Sequence, residues 1–231
     1  MKTAAVGIVG TLLLTAITCS GQTDAAASKA ADTFLTGVKL MELPEGKQML
    51  AETIWEDLDR RRYPVFTDAS TLFEGMFSTD IPGLQGYKRL IELKALSEAG
   101  IPLVKRYILI AYKDNTSGKW KVLEFREAED LDHEARAAGK RAAGENPGTR
   151  EFPDLHLTPD QFTYRDYGYW SLLAGKISQA KAAYQKASEL NRQNPQDQRT
   201  DSLVPGFYKK YTQSYFDFFL HRIGKITGSE Q

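Results

Sequence analysis

The chain has 231 residues, 42% of them apolar, with thirty basic side chains against thirty acidic ones and so no formal net charge at neutral pH. That is enough apolar material to bury one real core or two small ones. The even charge, with no basic stripe carrying interleaved aromatics, excludes the clustered Lys and Arg on which nucleic-acid binding draws its affinity.

Lys2 is the only charged residue before Asp24, and Val6 to Ile17 form an apolar run, VGIVGTLLLTAI. This run suits the core of a secretory signal and is short for a membrane span of about 20 residues. Residues 1–18 are therefore predicted to be an export signal, which places the protein in the periplasm or envelope. Cys19, the only cysteine in the chain, opens a polar, Ala-rich stretch over 19–27 that reads as a tether. The arrangement resembles a bacterial lipoprotein signal. That resemblance implies lipidation of Cys19, and through it the only attachment to a membrane that is expected. Ordinary cleavage after Ser20, or after the run Ala25-Ala26-Ala27, is the alternative. With Cys19 acylated or removed, the folded part has no thiol for a disulfide and must be held by packing alone.

Residues 28–126 read as one domain, with helices packed on a two-stranded hairpin. Ala30 to Leu40 and Lys47 to Arg60 carry apolar residues at helical spacing, the second through Met49, Leu50, Ile54 and Leu58, with Pro44 and Gly46 between the two. A short third helical piece spans Thr71 to Phe77. A fourth helix, Leu84 to Ala99, shows Tyr87, Leu90, Ile91 and Leu93, with Gly100 in the usual stop position. The period then changes. Tyr107 to Tyr112, YILIAY, and Trp120 to Phe125, WKVLEF, are rich in strand formers and read as a hairpin whose first strand is covered on both faces. An isolated hairpin is marginal, so the preceding helices are its expected cover.

Residues 127–157 turn polar, acidic first and basic later, and read as a connector. Thr158-Pro159 then caps a helix predicted over Pro159 to Leu173, and a second follows from Ser178 to Arg192. Tyr164, Tyr167 and Gly168 in the first helix, Gly175 at the turn, and Ala180, Tyr184, Ala187 and Leu190 in the second fit the spacing of one tetratricopeptide repeat, and the segment 159–195 resembles a single such repeat. At Gly168 and Ala180 small side chains let the two helix axes approach. A lone repeat cannot bury its own apolar faces. A last helix opening near Pro205, with Phe207, Tyr208, Tyr211, Tyr215, Phe216, Phe218, Phe219 and Ile223, is the expected stacking element, so 158–224 form a helical domain and 225–231 a tail. The expected fold class is thus mainly α with one small hairpin.

Signs of catalysis are missing. His133, His156 and His221 have no metal-ligand spacing, and there is no GxSxG, Walker loop or GxGxxG, so no cofactor, metal or catalytic group is expected. Glu52, Glu56 and Asp59 share a helical face at i, i+4 and i+7, which reads as solvated surface. The favoured expectation is a noncatalytic exported interaction protein with a protein or peptide partner. The repeat resemblance implies that the partner meets the inner face of the first repeat helix, here Phe162, Arg165, Tyr169 and Leu172. Arg165 among apolar neighbours suits a carboxylate or a backbone carbonyl of an extended peptide. The alternative is a small-ligand or enzymatic domain in 28–126, lined by Trp55, Tyr107, Tyr112 and Trp120, with the repeat only docking it.

Overall fold

The computed structural model describes residues 24–55, 63–96, 101–131, 161–193 and 207–229. They belong to two compact units, a sheet unit ending at residue 132 and a helical unit beginning at residue 133.

The sheet unit opens with helix α1, Ala25–Lys39, which starts inside the Ala25-Ala26-Ala27 run. Asp24 is its N-cap: the carboxylate accepts from the Ala26 and Ala27 backbone N–H groups at 2.8 and 3.4 Å, satisfying donors that the first turn leaves open. Ala27, Ala31, Phe34 and Val38, spaced three to four residues apart, form its buried stripe. Helix α2, Pro44–Thr53, has Pro44 in its first turn. At Gly46 any side chain is shut out, because a Cβ there would lie 2.0 Å from the Leu40 carbonyl oxygen. The helix predicted to run on to Arg60 stops at Thr53. Ile54 is extended and makes a parallel bridge to Val122, so Ile54 serves the sheet rather than a helical stripe.

Four strands follow: β1, Phe66–Ser78; β2, Gln85–Leu96; β3, Pro102–Lys113; and β4, Trp120–Glu127. They form an antiparallel sheet in the order β1-β2-β3-β4. This overturns the expected fold class, a mainly helical chain with a two-stranded hairpin. The segment Thr71 to Phe77, expected to be helix, lies in β1, and most of Leu84 to Ala99 is β2. The predicted hairpin strands lie in β3 and β4, the second half of a larger meander. The reason is visible in β2, whose buried residues Tyr87, Arg89, Ile91, Leu93 and Ala95 alternate with period two. The charged member at 89 hides that alternation. Leu90 and Ile91 side by side then imitate a helical stripe.

In β3 every residue from Tyr107 to Tyr112 is buried, so both of its faces are covered. Tyr107, Leu109 and Ala111 share a core with Phe34, Leu50, Ile54, Val122 and Phe125. Phe34 meets Tyr63 and Phe125 edge-on, with ring centres 5.5 and 5.2 Å apart, and Tyr107 stacks on Phe125 at 4.9 Å. The β3–β4 turn is set by Asp114, which accepts from the Thr116 and Ser117 N–H groups, and by Gly118 at φ +69°.

The helical unit has helices α3, Gln161–Leu173; α4, Ile177–Gln193; and α5, Phe207–Thr227. Gly175, at φ +78°, turns the chain between α3 and α4. Gly168 of α3 faces the Tyr184 ring closely enough that a Cβ there would sit 3.1 Å from it. That ring stacks on Phe219 of α5, with centroids 4.9 Å apart and planes inclined by 14°. Phe216, Phe219, Ile223 and Ile226 are buried, so this side of α5 supplies core. A polar seam runs beside it: Gln213 donates to Ser188 Oγ at 2.7 Å and accepts from Asn191 at 3.1 Å. The predicted signal at 1–18 and Cys19 lie outside the described residues, as do Thr158-Pro159, Pro205 and most of the connector.

Candidate functional site

The four residues expected to face a partner separate into two pairs. Leu172 is fully buried in the core of the helical unit. Tyr169 packs edge-on against Trp170 and against Phe219 of α5, at 5.2 and 6.1 Å. The inner face of α3 is thus met by the chain's own last helix at Tyr169. Phe162 and Arg165, one turn apart near the start of α3, are differently placed. Phe162 is 37% exposed. The Arg165 guanidinium lies 5.3 Å from the centre of its ring. Both Nε and Nη2 of Arg165 donate to Asp166 Oδ1, at 2.9 and 2.7 Å. The pair offers an aromatic face and a cation held in one orientation. A half-exposed ion pair of this kind is worth little to folding and is readily exchanged for another carboxylate. Chemically this suits an extended peptide, with the ring covering an apolar side chain and Arg165 a carboxylate or carbonyl oxygen.

The aromatics that were to line a ligand cavity in the sheet unit are core. Trp55, Tyr107, Tyr112 and Trp120 are all buried. The Trp55 indole donates to the Lys121 carbonyl at 3.2 Å, and that of Trp120 to Asp24 Oδ2 at 3.3 Å. The acidic face expected at Glu52, Glu56 and Asp59 does not extend along one described helix, since α2 ends at Thr53; Glu52 accepts from Gln48, and Glu56 and Asp59 lie outside the described residues. Among the described residues no three His, Cys, Asp or Glu side chains gather as metal ligands would. None of the described helices is long and apolar enough to cross a membrane.

One polar constellation was not anticipated. The Arg89 side chain, 3% exposed, reaches from β2 to both β1 and α1. Its Nε donates to Tyr87 Oη at 2.8 Å and to Glu74 Oε2 at 3.0 Å. Its Nη2 donates to Glu74 Oε2 at 2.6 Å and to the hydroxyl and carbonyl of Ser28 at 2.8 and 3.2 Å. Nη1 pairs with Asp32. Tyr87 donates its own proton to Glu74. Burial works against the Glu74 carboxylate, but the hydrogen bonds from Tyr87 and Arg89 prevail and hold its pKa below the ordinary range. Burial, and then the bond to Glu74, push the Tyr87 hydroxyl upward. With all three guanidinium nitrogens engaged and the side chain buried, this cluster is a clamp that fixes α1 on the sheet. An inward charge within an apolar strand, with acids at 32 and 74 elsewhere in the chain, is the sequence trace it leaves.

Comparison with protein-family models, with curated proteins and with solved structures gives no match.

Proposed function

We propose that the protein is a noncatalytic, exported interaction protein, held in the periplasm or at the envelope, whose tetratricopeptide-like hairpin takes a partner's extended peptide at Phe162 and Arg165. The observation that carries this reading is the exposed Phe162 ring with the Arg165 guanidinium over it, on a helix whose remaining partner-facing positions are committed to its own core. The filled aromatic core of the sheet unit supports a binding module over a ligand-processing domain, because the side chains that would line a cavity are spent on each other. Cys19 provides the attachment in this reading.

The test is crosslinking of the tagged full-length protein in its native cells, comparing wild type with a Phe162→Ala/Arg165→Ala variant. Phe162 is exposed and the Arg165 side chain partly so, and the stability change is expected to stay at about 1 kcal/mol, checked by thermal melting. Partners captured by the wild type should be lost from the variant. An identical set from both would move the interaction away from the repeat, and small-ligand thermal-shift screening of the sheet unit would follow.

A further inference from the structure

Three cuts are open to an export signal over 1–18: before Cys19, after Ser20, and after the run Ala25-Ala26-Ala27. The third carries the small side chains that a leader peptidase favours. The sheet unit, however, uses Asp24 to Ala27, which this cut would remove. Asp24 caps α1 through one carboxylate oxygen and takes the Trp120 indole N–H on the other. Its carbonyl accepts from the Ser28 N–H at 3.0 Å, closing the first turn. Ala27 is fully buried in the core around Phe34 and Trp120.

Cleavage after Ala27 adds water across the Ala27–Ser28 bond. The C–N bond breaks, the acyl carbon takes the hydroxyl, and the amine leaves as an ammonium on Ser28. That cation would lie at the positive end of the α1 dipole. It would also lie beside Arg89, whose Nη2 already donates to the Ser28 carbonyl and hydroxyl in a partly buried site where that hydroxyl in turn donates to Glu74. A second cation would then join a cluster whose carboxylates are already matched to Arg89, while the core lost Ala27 and the helix lost its cap. The peptidase meets the chain before it folds, so the fold does not shield this bond; the product of that cut is what holds the structure less well.

We propose that processing cuts within residues 18–24, so that the mature protein begins between Cys19 and Asp24 and the Ala25-Ala26-Ala27 run is retained as the first turn of α1. This rests on the reading of 1–18 as an export signal. A cut in this window places the new ammonium ahead of α1 or on Asp24 and leaves the Asp24 cap and Ala27 in place.

The full chain, with its own leader, would be produced in a bacterium that has both lipoprotein and general signal peptidases. The exported fraction would be analysed by intact mass and N-terminal sequencing. A first residue between 19 and 24 is expected. A protein beginning at Ser28, or an exported chain that keeps residues 1–18, would overturn the proposal and leave the export reading standing, whereas a full-length chain found only inside the cell would overturn the export reading and the processing with it. In parallel, chains made without a leader and beginning at Gly21 or at Ser28 would be melted. The Ser28 chain is expected to have a Tm lower by about 5 °C or more. Equal melting temperatures would remove the structural ground of the proposal.

Discussion

Arg89 is a residue whose chemistry and position conflict until its partners are seen. A guanidinium at an inward position of a central strand costs several kcal/mol in desolvation unless its donors are matched, and here Glu74, Asp32, Tyr87 and Ser28 match them. Replacing it with Met leaves Glu74 and Tyr87 facing an apolar side chain, and an unfolding free energy lower by about 2–3 kcal/mol is expected, under the figure for a fully buried pair because Asp32 is largely exposed. Urea denaturation of Arg89→Met against wild type measures it. The same cluster sets a pH dependence. Because the Glu74 pKa is lower in the folded protein than in the unfolded chain, the unfolded chain binds the proton first as pH falls. The contribution of Glu74 is therefore complete above the ordinary carboxylate range and lost as pH falls through its folded value. A Glu74→Gln variant should show a flatter loss of stability between about pH 5 and pH 3. The comparison belongs in added salt, which screens the exposed carboxylates Asp68 and Glu189, also lowered by their lysine partners. An equal slope in both proteins would show that Glu74 does not titrate in this range. The sequence carries only the inward charge at 89 as a trace of this, since Asp32, Glu74 and Arg89 stand apart along the chain and look like solvated charges.

Among the elements, those legible in advance were the ones whose signal is local. The β3 and β4 strands carry dense runs of β-branched and aromatic residues, and the α3–α4 hairpin announces itself through Gly168, Gly175, Ala180 and Tyr184. β1 and β2 were illegible for opposite reasons. β2 hides its period behind Arg89. β1 is an edge strand, exposed on both faces over residues 67–72, so no burial pattern shapes its sequence there, and it has pairing irregularities near residues 67 and 72 that break its alternation. Of the four α3 residues that the repeat resemblance points to, Tyr169 is packed by Phe219 of the last aromatic helix, so part of that face is occupied by the chain itself. The Gly168 contact makes the helix pairing testable. The Tyr184 ring is fully buried, stacks on Phe219 and lies against Gly168, so a new methyl group at 168 must displace a packed ring. Gly168→Ala gains about 1 kcal/mol of helix propensity, and overpacking of about 1–3 kcal/mol works against it. A net loss of about 1 kcal/mol is expected for Ala, and one nearer 3 for the bulkier, β-branched Val. Chemical denaturation of the pair would read it, and a stabilised Val variant would mean that α3 and α4 are free to separate.

For the whole molecule, the sheet unit has two distinguishable ends, and the start of α1 determines which of them an anchor would hold. Asp24 bonds to Trp120 at the first residue of β4, whereas Lys39 at the far end of α1 bonds to the Thr67 carbonyl near the start of β1. The β1–β2 and β3–β4 turns are therefore at the α1 N-terminal end, and Leu96 and Pro102, the facing ends of β2 and β3, are at the other. Five residues separate Cys19 from Ala25, a reach of about 20 Å from Cys19 to the start of α1 when fully extended. Strands of this length carry the opposite end about 40 Å further away. That far end bears Val65, Ile101 and Val104, all more than half exposed. A lipid on Cys19 would thus hold the two turns against the headgroups and hold the apolar end clear of them. The thiol is the only one in the chain, so a lipid maleimide can be coupled to it selectively in a protein that begins at Cys19. On vesicles, amine labelling read by mass spectrometry should then protect Lys113 and Lys119, which flank the β3–β4 turn, and leave Lys94 near the open end as reactive as in solution. Protection of Lys94 instead would mean that the apolar end itself enters the membrane, and that the short stretch from Cys19 to α1 does not set the orientation.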